Sequence, residues 1–230
     1  DIKNSIRKKD VHFPPSRLVC LENTHNRCFG MPLDINYINK VSEIVKNNSM
    51  MLHVDGARIF NAATALNKSV AELTSEVDSV SFCLSKGLSA PSGSLLCGKE
   101  WFIEKARFNR KALGGGMRQS GILAAAGIVA LNEMPKKIIK DHQNASTLAK
   151  GLNAISGISI DLEKVKTNII YFKLDHSKID SVTLINSMLK KNIKFFELGP
   201  NWFRLVTHAG INEEDIDHVL IQFKDLFSKI

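Results

Sequence analysis

The sequence predicts an α/β fold, a mostly parallel sheet followed by a smaller α+β domain. Three observations lead there. Strand-like and helix-like stretches alternate up to about residue 113, the pattern of a parallel sheet covered on both faces. Two short apolar runs, 50–54 and 80–84, stop abruptly at polar residues, as buried strands do where they leave a sheet. Gly114-Gly115-Gly116 then breaks the alternation, and a mixed set of strands and helices follows. Residues 1–135 are expected to form the sheet domain and residues 136–230 the smaller one.

Each element has a local reason. Arg17 to Leu21 is a short strand that runs into the polar loop Glu22-Asn23-Thr24-His25-Asn26. Asp34 can cap a helix over Asn36 to Lys46, in which Ile38, Val41, Ile44 and Val45 share one face. Met50 to Val54 is the next strand and Ala57 to Leu66 a short helix. Val80 to Leu84 and Ser94 to Cys97 are strands on either side of a loop rich in Gly, Ser and Pro. Gln119 to Asn132 is a helix of small residues (Gly121, Ala124, Ala125, Ala126, Gly127, Ala130), suited to burial or to a subunit contact. Pro135 interrupts it, and a polar amphipathic helix continues to Ile155. Strands follow at Ile158 to Leu162 and Asn168 to Leu174, then a helix from Thr183 to Lys191 and strands around Phe195 and Phe203. The last helix begins near Asn212 and carries Ile216, Val219, Leu220 and Phe223.

Composition narrows the class. Hydrophobic residues make up 44% and charged residues 23%, the balance of a soluble globular protein with a core. No apolar run approaches the roughly 18–20 residues that cross a bilayer. The opening Asp1-Ile2-Lys3-Asn4 has no apolar stretch of a secretory signal, and the absence of Met there suggests that residues upstream have been lost. The net charge of +8 comes from 23 scattered lysines and 8 arginines, so it indicates a compositional bias that tolerates anionic ligands more than a nucleic-acid patch. Cys20, Cys28, Cys83 and Cys97 form no CxxC pair and have no histidine at ligand spacing, so no metal site is expected. Cys20, Cys83 and Cys97 sit in apolar runs as small hydrophobes. Reduced cysteines favour the cytoplasm.

The chemistry concentrates in two places. Asp55 ends one apolar run, and Lys86, 31 residues later, follows the other. On neighbouring parallel strands the two emerge at the carboxyl edge of the sheet, where open α/β sheets bind ligands. A carboxylate and an amine there suit pyridoxal phosphate, whose ring nitrogen takes an anionic partner and whose aldehyde takes a lysine. A helix cap is the plain alternative for Asp55 and a solvated loop residue that for Lys86. Gly87 and Gly93 leave room for a ligand beside Lys86, and desolvation at the edge would lower its pKa. Arg204 lies in the apolar stretch Trp202-Phe203-Arg204-Leu205-Val206, where a guanidinium suits the bidentate grip of a carboxylate. Arg58 can do the same or form a structural ion pair.

Five stretches in this order resemble the pyridoxal-phosphate-dependent threonine aldolases. They are Leu21-Glu-Asn-Thr-His-Asn26, His53-Val-Asp-Gly-Ala-Arg-Ile-Phe-Asn-Ala62, Cys83-Leu-Ser-Lys-Gly-Leu88, Gly114-Gly-Gly-Met-Arg-Gln-Ser-Gly121 and Arg204-Leu-Val-Thr-His208. The resemblance implies the fold type I architecture, with residues 1–135 a partial cofactor-binding large domain. It implies that Lys86 bonds the cofactor, Asp55 pairs with the pyridinium, Arg118 approaches the phosphate, and Arg58 and Arg204 hold the substrate carboxylate. His12 corresponds to a histidine near the substrate, and a strand-start histidine is its alternative. The implied reaction is reversible cleavage of threonine or allo-threonine to glycine and acetaldehyde, by a dimer or tetramer when full length. The family also has a longer N-terminal region that completes the phosphate site. Another fold type I lyase or aminotransferase, or an inactive remnant, shares Asp55 and Lys86 and stays open.

Overall fold

Apolar runs and amphipathic helices build a four-stranded sheet whose spatial order repeats the order of the chain. The structure, a computed structural model, describes residues 1–175 and 178–229. It divides into one unit of Asp1–Thr24 with Pro32–Pro135, and a second of His25–Met31 with Lys136–Ile230. No helix among the described residues is long and apolar enough to cross a membrane.

In the first unit a turn of helix, α1 (Ile2–Ser5), precedes β1 (Leu18–Glu22). The Asp34 carboxylate accepts a hydrogen bond from Tyr37 N–H at 2.8 Å and opens α2 (Ile35–Asn47), as expected of it. Ile38, Val41 and Val45 of this helix pack with Met50 and Leu52. Then come β2 (Met51–Asp55), α3 (Ile59–Leu66), α4 (Val70–Leu73), β3 (Ser79–Cys83) and β4 (Ser94–Gly98). β1, β2 and β3 run parallel, and β4 returns antiparallel to β3. Side chains alternate along the strands, so Leu52 and Val54 enter the core while Met51 and His53 face the other way.

That other face differs from expectation. Leu18 is 54% exposed and Met51 41%, and all five residues of β4 are exposed, although α5 (Glu100–Ala112) packs through Phe102 against Gly98. No helix was expected at α5; none of its residues is buried, and its apolar face is the half-buried set Phe102, Ile103 and Ala106. The same openness corrects the cysteines: Cys20 and Cys97 are exposed and Cys83 half-buried, all of them unbridged. α6 (Gly121–Glu133) uses its small residues along one edge. Gly127 and Ala130 are buried, a Cβ on Gly127 would lie 3.1 Å from Leu84 Cδ1, and Ile122 is 83% exposed.

The second unit is built from α7 (Ile138–Asn153), β5 (Ile158–Ser159), β6 (Ile169–Leu174), α8 (Ser181–Leu189), β7 (Phe196–Gly199), β8 (Trp202–Val206) and α9 (Glu213–Phe227). Its strands form an antiparallel sheet in the order β5-β6-β8-β7. The core is aromatic: Phe172 stacks on Phe203 with ring centroids 4.9 Å apart and meets Phe195 and Phe223 edge-on. Asp180 accepts from Thr183 N–H at 2.7 Å, which starts α8 two residues earlier than the apolar pattern suggested. β5 is shorter than expected, because a 3-10 turn over Leu162–Lys164 replaces its end. Residues 25–31 lie against β6. Phe29 is edge-on to Tyr171 at 5.0 Å, and the Tyr171 hydroxyl donates to the Asn26 carbonyl at 2.9 Å.

Two adjacent buried groups give this unit a testable pH behaviour. At the start of α7, burial pushes Asp141 up to about 6, with the charge of His208 opposing, and pushes His142 down to about 4. The stability Asp141 contributes is present below its unfolded value of 3.8 and lost as pH rises through about 6. That of His142 is present above 6.5 and lost as pH falls through about 4. Each amounts to about 3 kcal/mol and the signs oppose, so the intact unit should change little between about pH 4 and 7. Asp141→Asn removes one side of the balance, and its urea midpoint is expected to climb with pH across that window. A pH profile parallel to that of the unaltered protein would show that Asp141 does not titrate there.

Candidate active site

β1, β2 and β3 end side by side, with Glu22, Asp55 and Ser81 level in register. Backbone bonds stitch the three ends together: Asn23 N–H donates to the Asp55 carbonyl at 2.9 Å, and Gly56 N–H to the Ser81 carbonyl at 2.7 Å. A Cβ on Gly56 would lie 2.9 Å from both the Ser81 carbonyl oxygen and Ile59 Cβ, so this close approach requires glycine. Asp55 Oδ1 accepts from Ala57 N–H at 3.0 Å, which turns the chain towards α3. The helix itself starts beyond Arg58, so Asp55 shapes the turn without being its N-cap. The Asp55 residue stays exposed at the edge.

Lys86 stands three residues beyond β3, at the same edge. Its turn is tightly bonded: Leu84 N–H donates to the Gly93 carbonyl at 3.0 Å, Ala90 N–H to that of Leu84 at 2.9 Å, and Ser89 N–H to that of Lys86 at 2.8 Å. Leu84, Leu88 and Ala90 are buried and Lys86 is exposed. The backbone is therefore anchored while the amine extends outward. The burial expected to activate this lysine is not seen in the chain itself.

Arg58 is partly buried at the start of α3, three residues from Asp55. Asp55, Arg58 and Lys86 thus come to one edge of one unit. Arg118 lies exposed in the loop between α5 and α6. His12 lies in a turn rather than at a strand start, its side chain 81% exposed and its Nδ1 2.9 Å from Asp10 Oδ1. Arg204 belongs to the second unit, where it alternates with buried Phe203 and Leu205. Its Nη1 donates to Asn26 Oδ1 at 2.6 Å, and its buried Nε has no hydrogen-bond partner among the described residues. Asn26 was not singled out from the sequence beyond its loop; its partner is 178 residues away, and no local pattern marks such a pair.

The sequence profile of the beta-eliminating lyases matches residues 1–175. The chain belongs to the beta-eliminating lyase family. This family member is 43% identical over 218 residues to low-specificity L-threonine aldolase 1 of Arabidopsis thaliana, a match spanning 94% of the chain and 61% of that relative. It is 37% identical over 224 residues to the low-specificity L-threonine aldolase of Escherichia coli K12, spanning 97% of the chain and 64% of the relative. The chain therefore spans less than two thirds of the length of these curated relatives. The structure of Leishmania major threonine aldolase superposes with a TM-score of 0.80 at 18% identity, over 99% of this chain and 66% of that one. The fold is that of the type I pyridoxal-phosphate enzymes. The family's cofactor is pyridoxal phosphate, and the residues present fit it. The edge offers a carboxylate and an amine, the kinds of group that the ring nitrogen and the aldehyde take. Thr24 Oγ1, two residues beyond β1, is buried with no hydrogen-bond partner among the described residues.

Proposed function

We propose that the protein cleaves threonine or allo-threonine reversibly to glycine and acetaldehyde. The observation that carries this reading is the 43% and 37% identity to low-specificity L-threonine aldolases, with Asp55 and Lys86 meeting at the ends of adjacent parallel strands. Residues 1–135 would hold the cofactor, Lys86 by its aldehyde, Asp55 by its ring nitrogen and Arg118 by its phosphate. When bound, the cofactor supplies an electron-withdrawing ring that stabilises negative charge at the α-carbon of an amino acid. Arg58 and Arg204 hold the substrate carboxylate by bidentate hydrogen bonds. A base takes the proton of the β-hydroxyl as the bond between the α- and β-carbons breaks, a contribution of about 10²–10⁴-fold. His12 is the candidate for that base, or for ordering a water beside it. The α-carbon then gains a proton and leaves as glycine.

Two features support a cytoplasmic homo-oligomer: unbridged cysteines, and apolar residues such as Ile122 left exposed on α6. The test is product analysis of the protein loaded with pyridoxal phosphate, together with Arg204→Lys. Glycine and acetaldehyde in equal amounts, without a keto acid, are expected. The variant should weaken threonine binding by about 1.5–3 kcal/mol while cofactor affinity holds. Formation of a keto acid, or unchanged affinity for threonine in the variant, would overturn the respective assignment.

A further inference from the structure

We propose that Asn61 is a positioning residue for Lys86, setting the backbone beneath the lysine through contact with Gly87. The proposal rests on the reading of Lys86 as the residue that holds the cofactor. Asn61 lies within α3, an eight-residue helix, and is 1% exposed, just before Ala62 and Ala63, both buried. Asparagine is a poor helix former, and burying an amide costs free energy that alanine would not. The helix alone gives no reason for it to be there.

A contact outside the helix gives the residue a role. A Cβ on Gly87 would lie 2.7 Å from Asn61 Oδ1, 3.6 Å from its Cγ and 3.7 Å from its Nδ2. The whole amide therefore sits against the residue that follows Lys86. Gly87 is not among the glycines with positive φ, so the close approach, and not an unusual dihedral, calls for glycine here. Asn61 is short and enclosed in its helix, so it cannot swing aside as a long side chain would.

α3 is also tied to the other reactive group. It follows the Asp55-Gly56 turn, which is locked on the Ser81 carbonyl. One short helix thus begins at the carboxylate and touches the backbone of the lysine turn, which arrive from separate strands. The cofactor is a rigid ring that engages both, so its binding tolerates little change in their separation. The exposed Lys86 side chain can rotate, and the backbone beneath it is the part the fold can hold.

The experiment is a double-mutant cycle in the protein supplied with pyridoxal phosphate: unaltered, Asn61→Ala, Gly87→Ala, and both. Cofactor affinity, the pH profile of the visible absorption band, and amide exchange at Leu88, Ser89 and Ala90 in the cofactor-free protein are compared. Each single change is expected to weaken the cofactor about tenfold and to speed exchange in the turn, with the double variant weaker by clearly less than the product. The pH profile should shift in the single variants, which loss of thermal stability by itself would not cause. Independent, multiplicative effects, or an Asn61→Ala protein equal to the unaltered one in affinity and exchange, overturn the proposal. If Asn61→Ala does not fold, Asn61→Ser clears the space beside Gly87 while keeping a polar group, and the same outcomes apply. If the unaltered protein takes no cofactor on Lys86, the reading of the site fails, and the exchange measurements still decide whether Asn61 holds the turn.

Discussion

Lys86→Ala is expected to abolish covalent retention of pyridoxal phosphate and to lower threonine cleavage by at least about 10³-fold, because Lys86 is the amine that follows β3, the strand paired parallel with the one that ends in Asp55. The protein should fold as before. Lys86 is exposed and its turn is held by backbone bonds and by buried Leu84 and Leu88, so stability should change by no more than about 0.5 kcal/mol. That separation makes the result interpretable, since a loss of activity with an unchanged unfolding curve is a loss of chemistry. Borohydride reduction of the unaltered protein, followed by peptide mapping, should place the cofactor on the peptide containing Lys86. Label on any other lysine would end the assignment.

Phe172→Ala should have the largest effect on folding, about 3–5 kcal/mol against a whole-domain stability of about 5–15 kcal/mol. Phe172 is fully buried and central to the second unit's core, stacked on Phe203 and edge-on to Phe195 and Phe223. Truncation leaves a cavity that three aromatic rings of fixed shape cannot collapse to fill. Phe196→Ala is the control: that ring is 69% exposed, and its loss should matter by about 0.5 kcal/mol or less. Chemical denaturation of the two variants gives the comparison. Equal midpoints would show that the aromatic cluster is not what holds the unit together.

Legibility in the sequence followed the range of the interaction. The Asp34 cap and the face of Ile38, Val41 and Val45 were readable because their partners lie within a few residues. The Asp55 edge was readable because apolar runs that stop at a charge mark the end of a buried strand. α5 was not, since its apolar face is short, Phe102, Ile103 and Ala106 among many charges, and none of the three is fully buried. The exposure of Cys20 and Met51 was also invisible, because a strand's own residues do not say whether its second face is covered.

By itself, the sequence determined the alternation of strands and helices, the residue types at the strand ends, and the ordered motifs that mark the family. Those are properties of short stretches, set by side-chain periodicity and by which chemistry a residue can perform. Only the tertiary structure decided that Asn61 lies under Gly87, that Asn26 holds Arg204, and that Lys86 is presented on an anchored turn. Those contacts join residues far apart in the chain. Their existence depends on how close two backbones come after the core has packed, a distance that no local pattern of residues encodes.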